Sequence, residues 1–238
     1  LFLYANNHIK PLQDFKENIA SIYSDDGITF YCGLWNGDLL VYNYKSNTGK
    51  VVDIGFTNSA VLSVLKYDAN SLIAGSFGEG LRILDLETLQ PKVDHGNLFS
   101  SYEINTIKKL ENTLWIATET GVLTYDVSTQ KTREYRHSKS ENFELPQDNI
   151  SDIYIDTLHN KIWAATRLGL AAYDKTTDRF KFVEEPKILK NKWITDIALD
   201  KRGNMWLNMN NNSIAKYDVN TKTANIYNVM SGNRLDIF

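Results

Sequence analysis

Ile104-Asn-Thr-Ile107, then Leu114-Trp-Ile-Ala-Thr118, then Gly121-Val-Leu-Thr-Tyr-Asp126, with Thr129 to Tyr135 behind it, is the stretch that decides the fold. An apolar-x-x-apolar step leads into a short turn, an aromatic-centred run, a glycine turn and an aromatic-Asp pair. The phrase recurs as Ile150-Ser-Asp-Ile153, Trp163-Ala-Ala-Thr166, Gly169-Leu170 and Tyr173-Asp174. It recurs again as Ile194-Thr-Asp-Ile197, Trp206-Leu-Asn208, Ile214 and Tyr217-Asp218. Two more worn copies lie upstream. One holds Ile19-Ala-Ser-Ile22, Tyr31-Cys-Gly33, Gly37-Asp-Leu39 and Tyr42-Asn43; the other holds Val61-Leu-Ser-Val64, Ile73-Ala-Gly-Ser76, Gly80-Leu81 and Leu84-Asp85. With Tyr31, Ile73, Trp115, Trp163 and Trp206 taken as equivalent, the successive spacings are 42, 42, 48 and 43 residues.

Glycine, asparagine and aspartate punctuate each copy about every ten residues, and these residues accept the positive φ of tight hairpins. The pieces between them are short and rich in Ile, Val, Tyr, Trp and Thr, which favours strand. No copy carries the Ile-x-x-Ile spacing past the following turn, so helix is the poorer reading. Runs such as Trp115-Ile-Ala117 are apolar at consecutive positions, so both faces of that strand need cover. A central strand between stacked sheets meets that need. Four strands per unit at this period predict an all-β fold, a β-propeller of about five whole four-stranded blades with partial blades at both ends. The expected divisions are 1–18 (a third and fourth strand), blades over 19–60, 61–103, 104–149, 150–193 and 194–230, and the start of another at 231–238, all in one propeller domain. The array is expected to be a segment of a seven-bladed ring or of a double-propeller protein. The repeated Trp is read as inter-blade core.

The charge balance, 26 basic against 29 acidic residues for a net −3, offers no nucleic-acid surface. The local basic excess at Lys131, Arg133, Arg136, His137 and Lys139 is read as a solvated outer strand. One cysteine, Cys32, precludes an internal disulfide and reads as a buried thiol. No apolar stretch has the length of a membrane span. His8, His95, His137 and His159 stand far apart, none in a metal-spaced pair. Asp25-Asp26 and Asp200 with Asn204 fit hairpin turns better than a calcium loop. Asp126, Asp174 and Asp218 recur at one place in each late copy, which argues for a turn cap, since residues of a single catalytic site need not repeat. No catalytic, cofactor or metal constellation is found, and the segment is read as no enzyme.

Leu114-Trp-Ile-Ala-Thr118, Gly121-Val122 and Tyr125-Asp126, together with Asp200-Lys-Arg-Gly-Asn-Met-Trp206, resemble the two-component regulator propeller repeat in five registers over nearly the whole chain. Ile73 in place of tryptophan, Leu34 and Met209 in place of threonine and Ser213 in place of glycine depart from that pattern. The resemblance implies the periplasmic sensor region of a hybrid two-component histidine kinase, with a homodimeric parent receptor anchored by its own transmembrane helix. It also implies an oligosaccharide ligand released from a glycan. A protein-interaction scaffold is the alternative, and a propeller lyase or hydrolase a more distant one.

In an up-and-down blade the second-to-third turn and the connection to the next blade emerge at the same end. The binding face is therefore expected there. The second-to-third turns offer Trp35, Asn36, Phe77, Glu79, Glu119, Arg167, Asn210 and Asn211. The connections add Trp193, along with Phe56, Asn58, Asn97, Phe99, Asn191 and Lys192. Trp35, Phe77 and Trp193 lie outside the repeated core positions, and flat rings beside amides and charges suit a sugar.

Overall fold

The computed structural model describes residues 2–5, 8–11, 16–92, 98–138 and 145–228, with the backbone alone before residue 16. The expected start of a further blade at 231–238 lies outside the described residues. All described elements are strands except one 3-10 turn at Lys187–Leu189. The chain divides into two compact units, Leu1–Ile107 and Lys108–Phe238.

The first unit opens with a two-stranded hairpin, β1 (Phe2–Ala5) and β2 (His8–Pro11), where the sequence anticipates a third and a fourth strand. A four-stranded sheet follows in the order β3 (Ile19–Tyr23), β4 (Thr29–Leu34), β5 (Leu39–Asn43) and β6 (Thr48–Val52). Next come β7 (Val61–Asp68), β8 (Ser71–Ser76) and β9 (Gly80–Asp85) in a three-stranded sheet. The expected fourth strand of this sheet is reduced, among the described residues, to isolated bridges from Leu84 to Pro91 and from Leu81 to Leu98. Pro91 has no N–H to give to a ladder, so the pairing stays at the edge and irregular.

The second unit begins within β10 (Ile104–Leu110), which leads the sheet completed by β11 (Thr113–Thr118), β12 (Gly121–Asp126) and β13 (Thr132–Tyr135). Two further four-stranded sheets follow. One is β14 (Ile150–Asp156), β15 (Lys161–Thr166), β16 (Gly169–Asp174) and β17 (Arg179–Phe182); the other is β18 (Ile194–Leu199), β19 (Met205–Met209), β20 (Ser213–Asp218) and β21 (Thr223–Asn228). All described ladders are antiparallel between strands adjacent in sequence, as in a propeller blade.

The second strand of each sheet is where the repeat predicts cover on both faces. From Leu114 to Thr118 every residue is buried, and so is every residue from Ile162 to Thr166 and from Ser71 to Ser76. The glycine after that strand has a geometric reason. Gly121 and Gly169 sit at φ of +130° and +135°, and a Cβ on Gly121 would collide with the carbonyl oxygen of Tyr135.

The recurring aspartates are turn caps. Asp126 Oδ1 accepts from the N–H groups of Ser128 and Thr129 at 3.0 and 2.7 Å, and Asp218 Oδ1 from those of Asn220 and Thr221, both at 2.9 Å. Asp85 and Asp174 make the same kind of turn. Hydrogen bonds from Ser128 and Thr129 hold the Asp126 carboxyl down to about 2.

The leading strands share a feature too. In β3, β7, β14 and β18 the register slips after the first residue, between Ile19 and Ser21, Val61 and Ser63, Ile150 and Asp152, and Ile194 and Asp196. A bulge of this kind re-aims a side chain. Here it turns the third residue of the step toward the next leading strand. Ser21 Oγ donates to Val61 O at 2.8 Å, and Ser63 Oγ accepts from the Ile107 N–H at 3.0 Å. Asp152 Oδ2 accepts from the Ile197 N–H at 3.0 Å.

Candidate functional site

In the first unit, Trp35 and Phe77 both reach solvent, at 60% and 46% exposure. Each is placed by its backbone: the Trp35 N–H donates to Asn18 O at 3.0 Å and the Phe77 N–H to Ala60 O at 2.9 Å. Asn36 is engaged within its own turn, its amide donating to Asp38 at 2.7 Å. Glu79 acts as a brace. Its carboxylate accepts from the Thr57 N–H at 2.7 Å and lies 3.7 Å from Arg82, whose guanidinium sits 4.5 Å over the Phe56 ring and donates to Ile54 O at 3.2 Å. Phe56 is only 5% exposed and belongs to the core. Asn58, Phe99 and Asn191 all adopt positive φ, so these connection residues shape the turns they occupy. Asn97 lies outside the described residues.

The second unit brings three of the anticipated residues into one line. The Arg167 guanidinium lies 4.6 Å over the Trp193 ring, and its Nη2 is 3.9 Å from Glu119 Oε2. The Trp193 indole N–H donates to Ser151 Oγ at 3.3 Å, and Trp193 O accepts from the Asn210 N–H at 3.1 Å. Three different sheets thus contribute: the turn after β11, the turn after β15, and the connection into β18. Asn211 is spent on its own turn, accepting a hydrogen bond from Ser213 Oγ. Leu168 and Ile188 are exposed at the same end, where the Asn191 N–H donates to Leu168 O at 2.9 Å.

Two features of the second unit were not legible in a single copy of the repeat. One face of the Trp193 ring is already taken by Arg167, so a ligand meets the guanidinium and the remaining ring surface together. Asp152 is the other. It is 6% exposed, and burial, with Asp196 nearby adding to the effect and Lys108 opposing it, raises its carboxyl to about 7. The signal existed: Ser21, Ser63, Thr106, Asp152 and Asp196 occupy the same place in the repeated step.

Elsewhere in the second unit a cavity of about 1150 Å³ opens between the sheets β14–β17 and β18–β21, reached from the hairpins at His159, Thr176 and Lys222. Its lining includes Trp163, Ala172, Tyr217, Val183 and Val219. Among the described residues there is no group of three or more His, Cys, Asp and Glu side chains suited to a metal. Two of the histidines are engaged, His137 Nδ1 with Leu145 O and His159 Nδ1 with Asp156 Oδ2, each at 2.7 Å. Burial pushes the Cys32 thiol up to about 11, which leaves it protonated and inert near neutral pH. On the outer strand β13, Arg133 pairs with Asp178 and Arg136 with Glu134.

No family model matches the sequence, and no curated protein does. Solved structures do. The extracellular domain of BT4673 from B. thetaiotaomicron, assigned to a hybrid two component system, superposes with a TM-score of 0.72 at 17% identity over 90% of this chain and 28% of its own. That of BT3049 from the same organism, assigned likewise, gives 0.70 at 20% identity over 94% of this chain and 30% of its own. The β-propeller domain of Cps50 (Swd1) from Myceliophteria thermophila gives 0.63 at 12% identity, covering 86% and 66%. At these identities the likeness is one of fold, and the fold is that of β-propeller blades. The chain spans under a third of the length of the two bacterial domains.

Proposed function

We propose that this chain is the non-catalytic sensing segment of an extracytoplasmic, periplasmic receptor of the hybrid two-component type, and that its turn-and-connection face binds a glycan-derived oligosaccharide. The observation that carries the reading is the exposed Arg167–Trp193 pair, set between the Glu119 carboxylate and the Asn210 turn. An apolar ring edge beside charged and amide groups matches a sugar, which offers apolar faces and hydroxyl edges. The fold likeness to extracellular domains of hybrid two component systems points the same way. In the parent receptor, a homodimer anchored by its own membrane helix and ending in a histidine kinase, the ligand acts by favouring one arrangement of the ectodomain over another, which requires differential affinity for the two.

Isothermal titration of the intact ectodomain against an oligosaccharide panel tests this reading. Binding of at least one member, weakened about tenfold or more by Trp193→Ala, is the expected result. Absence of heat and of thermal shift across the panel overturns it. The exposed Leu168, Ile188 and Trp193 favour a second reading, a protein-interaction face. Capture of one defined protein that Leu168→Glu abolishes, with no response to any sugar, selects it.

A further inference from the structure

We infer that the Arg167 site selects an anionic saccharide, one carrying a carboxylate or a sulfate ester. This inference rests on the oligosaccharide reading above and narrows it to a class. Arg167 places its guanidinium carbon 4.6 Å over the Trp193 ring, and its side chain is 46% exposed. Its nearest acid, Glu119, stands at 3.9 Å, beyond hydrogen-bond reach. Among the described residues no hydrogen bond is made by its guanidinium. The five-donor fork thus faces solvent, where a ligand can take the place of water. That fork fits two oxygens of a carboxylate or sulfate, whereas a lone sugar hydroxyl uses only part of it.

A second observation is independent of Arg167. The connection from β17 to β18, Val183 to Trp193, carries Lys187, Lys190 and Lys192 against Glu184 and Glu185, with all three lysines gathered after Pro186. The corresponding connection in the first unit, Asp53-Ile-Gly-Phe-Thr-Asn-Ser-Ala60, carries one acid and no base. The stretch that leads directly into Trp193 is therefore basic, and it adds a local attractive field for an anion. Glu119 is the opposing element. Its charge competes with an incoming anion for Arg167, so its removal favours the ligand.

The test titrates the ectodomain with trigalacturonate as the carboxylate probe, a sulfated chondroitin disaccharide as the sulfate probe, and galactotriose as the neutral control. At least one anionic probe is expected to bind about tenfold or more tighter than galactotriose, with the preference lost in Arg167→Met and only partly kept in Arg167→Lys, whose point charge lacks the fork. Glu119→Gln is expected to strengthen the anionic probe about two- to fivefold and leave galactotriose unchanged. Raising salt from about 50 to 500 mM is expected to weaken only the anionic probe. Thermal melts confirm that these exposed-site variants fold. If galactotriose binds as well as both anionic probes, or if Arg167→Met leaves the anionic affinity intact, the selection is refuted while the oligosaccharide reading stands. If no oligosaccharide of either class binds, the oligosaccharide reading itself fails and takes this inference with it.

Discussion

Two seams in the second unit are built from the same repeated positions and end up differently. Between the sheets β10–β13 and β14–β17, Trp115 meets Tyr173 at 4.8 Å, Phe180 at 6.2 Å and Tyr135 at 6.2 Å, while Tyr135 and Tyr173 both donate to Asp178 Oδ1, at 2.8 and 2.6 Å. Between β14–β17 and β18–β21, Trp163 meets Tyr217 at 6.3 Å. Register places Val183 where the first seam has Tyr135, Ala224 where it has Phe180, and Lys222 where it has Asp178. Two rings, and the carboxylate that accepts from both tyrosines of the first seam, have no counterpart here, and the second seam contains the 1150 Å³ cavity. The repeat sets where a ring belongs, but the individual residue decides whether the seam closes.

The largest expected effect is therefore in the packed seam. Trp115 is 6% exposed and touches three other rings, and its truncation to alanine should destabilise the protein by about 3 to 5 kcal/mol. Denaturant unfolding measures it. A cost near zero would mean that the ring cluster carries little of the packing energy, and the contrast between the seams would lose its meaning.

The second seam is held near the leading strands by a carboxylate. Asp152 accepts the Ile197 N–H and is faced by Lys108 from β10 and Asp196 from β18, with Tyr154 on its own strand. Its carboxyl, raised from an ordinary 3.8 to about 7, keeps a proton in the folded state that the unfolded chain has already released. Stability from this group is thus present at acid pH, declines as pH rises from about 4 to about 7, and is level above that. Asp152→Asn retains an oxygen for the Ile197 N–H without titrating. Relative to the native protein it should gain on the order of 1 to 3 kcal/mol between pH 5 and pH 8, read as a flatter dependence of the midpoint on pH. Parallel curves for the two proteins would show that Asp152 does not hold that proton.

How much of this was readable beforehand differs by kind of feature. The strands, the glycine turns and the aspartate caps follow from local chemistry repeated in phase, so Trp115-Ile-Ala117 and Gly121 were legible from their own stretch and Asp126 from its recurrence with Asp174 and Asp218. The stacking of Arg167 on Trp193 joins different repeats, and nothing in either stretch states that the ring face is taken. Glu79 reads as a free acid in its turn because its partner, the Thr57 N–H, is a backbone group 22 residues away. Asp152 was visible only as a member of an Ile-x-x-Ile step. Its raised carboxyl comes from burial between neighbouring strands, a tertiary property.

The smallest expected effect tests whether missing rings open the second seam. Val183 lines the cavity and packs on the Trp163 cluster, and Lys222 lines the same space at a positive φ of 56°, matching the 54° of Asp178. Val183→Tyr combined with Lys222→Asp restores a ring and its acceptor together, with the cavity giving the ring room and the new carboxylate in reach of both Tyr217 and the introduced phenol. A filled cavity and a satisfied hydroxyl each contribute modestly, so the pair should stabilise the protein by about 1 kcal/mol, or roughly 2 to 4 °C in Tm. Val183→Tyr alone should gain less, because Lys222 can donate to the new hydroxyl but offers no acceptor for its proton. If the double variant melts lower than the native protein, the space does not take a ring in the register of Tyr135, and the openness of this seam has a cause other than its lost aromatics.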